Sequence, residues 1–337
     1  MSLLIPFILK IIGASLVIIM IFITWFYVEK NKAPKEDILS RETSVASEEE
    51  KAFSQFSLNT STAKASIDLN KVLSGGPGKD GIPALINPKF TSIDQADIES
   101  STLGVLVDIG GKQKFYPYSI LTWHEVVNDQ VGDQEVAVTF CPLCGSGIVF
   151  NRRVEGKILE FGVSGLLFES NLLMYDQKTE SLWSQARGEA VVGELTGFKL
   201  QILPMQLITF SEVKDKYPRA MVLSTETGYE RDYKTNPYSG YSDSEDLFFP
   251  VSVSDERLPA KELMYIVPLS GQVLAIERSR IKEGQTEATL KTGEKVVINR
   301  NGGEIEVVVD GKVRTGYFEM WFSFVTHHQD DGVLLEI

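Results

Sequence analysis

The chain has 337 residues, 43% of them hydrophobic and 10% aromatic, which suffices for one large domain or two related modules with a sizeable core. The formal net charge of -13 excludes nucleic acid as a partner, because no stretch clusters the Lys and Arg that phosphate binding needs. Acidity otherwise favours solubility and says little about activity.

From Ile11 to Val28, "IIGASLVIIMIFITWFYV" runs eighteen residues without a charge. At about 1.5 Å of rise per helical residue, such a run spans a bilayer core, and residues 1–28 are expected to form a transmembrane anchor. The run ends in Trp25, Phe26 and Tyr27, which suit a membrane interface better than a signal-peptide cleavage site. Lys10 precedes the span while Lys30, Lys32, Lys35 and Arg41 follow it, so charge counting alone would leave the bulk of the chain in the cytoplasm. Residues 29–66 are charged and rich in Ser and Thr, as befits a tether.

A β-rich soluble domain is expected over 67–337. Short alternating runs such as "GVLVDIGGKQKFYP", "QEVAVTF" and "GEIEVVVDGKV", punctuated by Gly, Asp and Asn, predict a mainly β architecture (α+β with few short helices). Helical pieces are expected at "TWHEVVND", where Thr122 and Glu125 have capping-box spacing, and at "SEVKDKYP", from Ser211 to Pro218. A weak repeat joins 104–158 to 265–313. Gly111, Ser119, Leu121, Val136 and Val138 return 160 positions later as Gly271, Ser279, Ile281, Val296 and Ile298, whereas "VEGKI" and "VDGKV" match at an offset of 155. The repeat predicts two related β modules in one sandwich- or barrel-like domain, with "CPLCG" inserted in the first.

Both cysteines lie in "TFCPLCGSG". Cys-Pro-x-Cys-Gly resembles the knuckle of rubredoxins and zinc ribbons: Pro142 fixes φ at the turn, Gly145 accepts a positive φ, and backbone N–H groups point at the sulfurs. The same letters resemble the glutaredoxin redox motif, but "GSGIVFNRR" has glycines and β-branched alternation where that motif's helix should begin. A structural disulfide is the blander reading.

Two thiolates cannot fill a tetrahedral shell, and the chain offers only three histidines, His124, His327 and His328. His124 is expected near the N-terminus of a capped helix, whose dipole keeps the ring neutral. Adjacent side chains point to different faces, so at most one of His327 and His328 is expected to reach a given site. Met174, in a hairpin that turns over Asp176 to Glu180, is a thioether candidate if the metal is copper, and otherwise core packing.

Taken together, "GIPALINPKF", "LTWHEVVND", "VAVTFCPLCGSGIVFNRR", "FGVSGLLFESNLLMYDQKTESLWSQ" and "GYERDYKTNPYSGY" resemble the hallmarks of a bacterial and archaeal family of unknown function, numbered 3179 among such domains. The resemblance runs from about Gly81 to His328 and brings no established activity. It places the family's Trp-His-Glu segment on Trp123, His124 and Glu125, its Cys pair on Cys141 and Cys144, and its terminal histidine on His328. Here His327 stands where an aromatic is commoner and Gln329 where proline is usual. Members usually carry a signal or membrane anchor, which implies an extracytoplasmic domain at the cell membrane and opposes the charge count.

With those positions added, the expected centre is His124, Cys141, Cys144 and His328 around zinc or copper, with Glu125 as a weaker catalytic candidate that capping also explains. Two other classes stay open. One is a thiol-disulfide oxidoreductase with Cys141 as nucleophile and Cys144 as resolving partner, and the other is a non-catalytic ligand- or protein-binding module.

Overall fold

The computed structural model describes residues 58–337; the expected anchor and most of the expected tether lie outside them. No helix among the described residues is long and apolar enough to cross a membrane. The chain is mainly β, with several sheets and three short α-helices among the described residues.

The largest sheet has eight strands in the order Leu85–Ile86, Val126–Val131, Gln134–Cys141, Ser146–Asn151, Tyr317–Met320, Leu263–Pro268, Val273–Glu277 and Gly332–Leu335. A seam divides it. The strand Ser146–Asn151 meets Tyr317–Met320 through one pairing, Gly147 with Phe318, so segments far apart in sequence join beside the cysteine turn. A five-stranded sheet runs from Val72–Ser74 through Phe161–Phe168, Asn171–Asp176 and Leu182–Ser184 to Glu189–Val192. A second five-stranded sheet centres on the hairpin of Leu103–Ile109 and Lys112–Pro117, and a four-stranded sheet covers residues 284–314.

The central strands are buried on both faces. Val136, Val138 and Phe140 join Val149, Trp183, Tyr265 and Phe318 in one continuous core. Trp183 is fully buried, edge-on to Phe161 at 5.6 Å, and its indole N–H donates to Asp176 at 3.1 Å. Burying so large an aromatic is stable only when its N–H finds such a partner.

Both windows of the expected repeat hold an antiparallel hairpin, a helical turn and an antiparallel three-stranded meander. Their sheets differ: the first window's meander joins the eight-stranded sheet, while the second window's joins the four-stranded one.

Three expectations change. Helix α1 (Tyr118–His124) ends where the capping-box spacing predicted a start, because Val126 and Val127 continue as a buried strand. Helix α2 (Phe210–Lys216) has its capping box on Thr209 and Glu212, two residues ahead of Ser211. Residues 58–66, expected in the tether, pack on the domain: Leu58 fills a satellite cluster with Leu166 and Leu173, and Ser66 N–H donates to Val191 O at 2.9 Å. Helix α3 (Trp321–His327) closes the domain.

Candidate functional site

The segment 139–147 forms a strand, a turn and a strand. Cys141 ends one strand, Cys144 N–H donates to Cys141 O at 3.2 Å, and Gly145 turns the chain at φ 57°. A residue with a Cβ is disfavoured there by about 1–2 kcal/mol, which is why glycine follows the second cysteine. Met320 N–H donates to Cys144 O at 2.8 Å, tying the turn to the strand across the seam.

Both thiols are free and buried, Cys141 at 2% and Cys144 at 0% exposure. They are not equivalent. Burial pushes the Cys141 thiol up, but the Cys144 thiol and the backbone N–H groups of Leu172, Cys144 and Leu143 aim at its sulfur and outweigh burial, leaving it below the usual thiol range. Cys144 is held well above that range by burial and then by the neighbouring Cys141 sulfur. One sulfur is therefore prepared to be a thiolate and the other to keep its proton.

Residues from three distant segments surround the pair. The hairpin between Phe161–Phe168 and Asn171–Asp176 turns on Glu169 and Ser170, at φ 50° and 62°. Two successive positive φ values define a type I′ turn that ordinarily selects Asn and Gly. Here the strained pair delivers Ser170 O as acceptor for the Cys144 thiol at 3.2 Å and Asn171 Nδ2 as donor to Cys144 Sγ at 3.3 Å. Asn171 also donates to Gln185 Oε1 at 3.0 Å, and Gln185 receives Ser146 Oγ at 2.8 Å, so the back of the turn is a connected polar network.

On the other side, Glu319 is the penultimate residue of the seam strand and Ser323 lies in the first turn of α3. Ser323 Oγ bonds Glu319 Oε2 at 2.8 Å and also reaches the Cys144 sulfur. Glu319 is fully buried, its Oε1 has no partner among the described residues, and burial pushes its carboxyl up to about 8. The loop residues Tyr238 and Tyr241 complete the surround, both phenols raised by burial and then by nearby acidic groups that include Cys141. Lys261 donates to the carbonyls of Tyr241, Ser244 and Asp246 and sits 3.5 Å over the Tyr241 ring, stapling this loop in place.

The expected metal ligands are distributed differently. His124 closes α1 at its C-terminal end; its Nδ1–H donates to Pro83 O at 2.7 Å and its Nε2 accepts from Tyr233 at 2.7 Å, so its lone pair is taken. Burial lowers its pKa, and the helix N-terminus expected to do so is not beside it. His328 donates from Nδ1 to Asp331 at 3.1 Å and lines, with His327, a cavity of about 700 Å³ whose walls include neither cysteine. Met174 is fully buried core, paired across strands with Trp183. Among the described residues no three His, Cys, Asp or Glu side chains converge as a metal site. A four-donor zinc shell therefore does not fit the arrangement, which brings together two thiols and no imidazole.

Glu125 is the C-cap of α1, its backbone N–H on Leu121 O, and not the partner of Thr122 in a capping box. It follows α1 at φ 56°, and its buried carboxyl, raised first by burial and then by Cys141, faces a pocket instead. Glu319, Ser323, Asn171 and Tyr241 were not singled out by sequence; only a charged residue inside "FEMWFSF" hinted at Glu319.

The profile of the family described as "Protein of unknown function (DUF3179)" matches residues 79–330, and the chain belongs to that family. No curated protein matches it. No solved structure matches it either.

Proposed function

We propose that the chain is a membrane-anchored extracytoplasmic protein whose Cys141–Cys144 pair works as a thiol redox couple. The carrying observation is the asymmetry of the two sulfurs: three backbone N–H groups and the Cys144 thiol converge on Cys141, while burial and the neighbouring sulfur raise the Cys144 thiol. The uncharged run Ile11–Val28 supports the anchor, and free vicinal thiols in an oxidising compartment support reversible chemistry.

In this reading the Cys141 thiolate attacks one sulfur of a disulfide, forming a mixed disulfide and expelling a thiolate. Cys144 then attacks Cys141 Sγ, closing the Cys141–Cys144 disulfide and releasing the second thiol. The balance is one disulfide reduced and one dithiol oxidised. The proton of Cys144 leaves through Ser323 to Glu319, a buried carboxylate linked to it by hydrogen bonds. In the reverse direction protonated Glu319 returns it. Because Glu319 accepts only when ionised, closure of the disulfide accelerates as pH rises towards about 8 and then levels.

The test is redox titration of the full-length chain in detergent against glutathione buffers, with alkylation and mass spectrometry reading the dithiol fraction. A reversible two-electron transition supports the couple. A dithiol that no disulfide or diamide oxidises ends this reading.

A further inference from the structure

The cavity of about 700 Å³ that His327 and His328 line takes no part in the thiol chemistry. Its volume lies within the range of about 300–1,000 Å³ that ligand clefts occupy. Three cationic side chains, Lys71, Arg187 and Lys199, share its walls with five carboxylates. Lys71 already meets Glu169 at 3.3 Å, and Arg187 and Lys199 approach Glu189 at 3.6 and 3.7 Å. A bound anion would therefore face an excess of like charge.

The two histidines are the unsatisfied part of the wall. His327 is 9% exposed and the His328 side chain 10%. Each ring is fixed through Nδ1, which faces Ser323 O at 2.9 Å in His327 and Asp331 Oδ1 at 3.1 Å in His328. A carbonyl and a carboxylate only accept, so a neutral ring carries its proton on Nδ1 and its lone pair on Nε2. Neither Nε2 has a partner among the described residues. Nδ1 of His327 is turned back on its own helix, so Nε2, at the far edge of the ring, faces away from that helix towards the space the ring lines. Buried polar atoms are almost always paired, and two acceptors without partners on one cavity wall mark where a bound molecule supplies donors.

Arg187 narrows what that molecule is. Its guanidinium is close enough to both rings to oppose a positive charge on either, and its 3.6 Å approach to Glu189 is too long for a hydrogen bond. A group seated between Arg187 and the rings has to donate to Nε2 and accept from the guanidinium. An ammonium only donates and is repelled by Arg187, a carboxylate only accepts, and a hydroxyl does both.

We infer that this cavity binds one or two neutral sugar rings, whose hydroxyls donate to Nε2 of His327 and His328 and accept from Arg187. The C–H faces of the rings rest on Leu200, Ile202, Leu269 and Val273, which line the same space. Since a cavity of about 150 Å³ takes one benzene, there is room for two such rings. The site is separate from the cysteine pair and does not depend on the redox reading.

The experiment is a titration of the full-length chain in a detergent without a sugar headgroup, at pH 8, above the ordinary imidazole value of about 6.5. The probes are glucose, maltose and maltopentaose, with inorganic phosphate and spermidine as the anion and the cation. Saturation-transfer NMR reads binding, and Overhauser contacts to the Leu200 and Leu269 methyl groups read the seat. Expected is saccharide binding with those contacts, neither ion in that place, and a loss of about tenfold in His327→Phe, His328→Phe and Arg187→Met. Preference for glucose or maltose identifies a free sugar, and preference for maltopentaose the end of a longer glycan. A denaturant melt of each variant checks its fold. Where a histidine variant melts early, Arg187→Met carries the test, since that side chain is 33% exposed. No saccharide binding at concentrations that fill a millimolar site, binding without the methyl contacts, affinity unchanged in folded variants, or phosphate or spermidine seated there instead would overturn the assignment.

Discussion

Two turns occupy matching places in the two three-stranded meanders. One joins Gln134–Cys141 to Ser146–Asn151 through "PLCG", and the other joins Lys295–Asn301 to Glu304–Val309 through Gly302 and Gly303. The second is a tight surface turn, with Asn301 exposed and Gly302 at φ 64°, held from outside by Glu283 and Glu212. The first is longer, buried from Cys141 to Cys144 and half-buried at Gly145, and covered by a strained hairpin tip, a buried carboxylate and two tyrosines. A turn that merely reverses the chain needs two permissive residues. Burying two thiols, an unpartnered carboxylate oxygen and a non-glycine pair at positive φ costs stability that reversal does not require, and such costs gather at functional sites.

The comparison can be broken most sharply at the sulfurs. Cys141→Ser is expected to abolish thiolate absorbance across neutral pH, whereas Cys144→Ala keeps a thiolate at Cys141 with its pKa nearer the ordinary value, because position 144 no longer offers a side-chain donor to it. Ultraviolet titration of the two variants reads this directly. No substitution at Gly302 or Gly303 is expected to move either thiol.

Next in size is Glu319. Its carboxyl sits near 8 in the folded chain and near 4.5 when unfolded, so the protonated form is the one that folding favours. Its contribution is full below about 4.5, declines as pH rises and is flat above about 8. Glu319→Gln, neutral throughout, is therefore expected to stabilise the chain by up to about 3 kcal/mol near pH 7 and to flatten that decline. Denaturant melts of the full-length chain at several pH values check it, and the same variant is expected to lose the pH dependence of disulfide closure.

Smaller effects distinguish strain from architecture. Ser170→Gly relieves a positive φ and removes a buried hydroxyl without a partner, and is expected to gain about 1–2 kcal/mol. Gly302→Ala, at φ 64°, is expected to lose a similar amount. Opposite signs at two turns would show that the cysteine site is kept for something other than stability, and chemical denaturation measures both.

Much of this was legible in the sequence, and for local reasons. Alternation announced the strands, and the spacing of Pro142 and Gly145 around the cysteines announced a turn between two of them. What failed was also local. Thr122 and Glu125 have capping-box spacing, yet the helix that already contains Thr122 was favoured by Ile120 and Leu121 packing into the core, so Glu125 is the residue after a helix and lines a pocket. His124 and His328 could be placed on elements but not relative to the cysteines, because that depends on the seam between strands far apart in sequence. Glu319, on the seam strand, and Ser323, in the first turn of α3, lie four residues apart near the chain's end, and nothing in their spacing tells that Cys144 lies beside them. Partners brought by long-range pairing leave no periodic mark.

The account stands on one sulfur being a thiolate and its neighbour a thiol. The decisive measurement is the ultraviolet titration of the reduced, full-length wild-type chain, purified without chelator and with zinc and copper quantified in the same sample. It is expected to give one ionisation below the ordinary thiol range and a second well above it, with neither metal near stoichiometric. Two ionisations at or above the ordinary value, or stoichiometric metal that silences both, would contradict it.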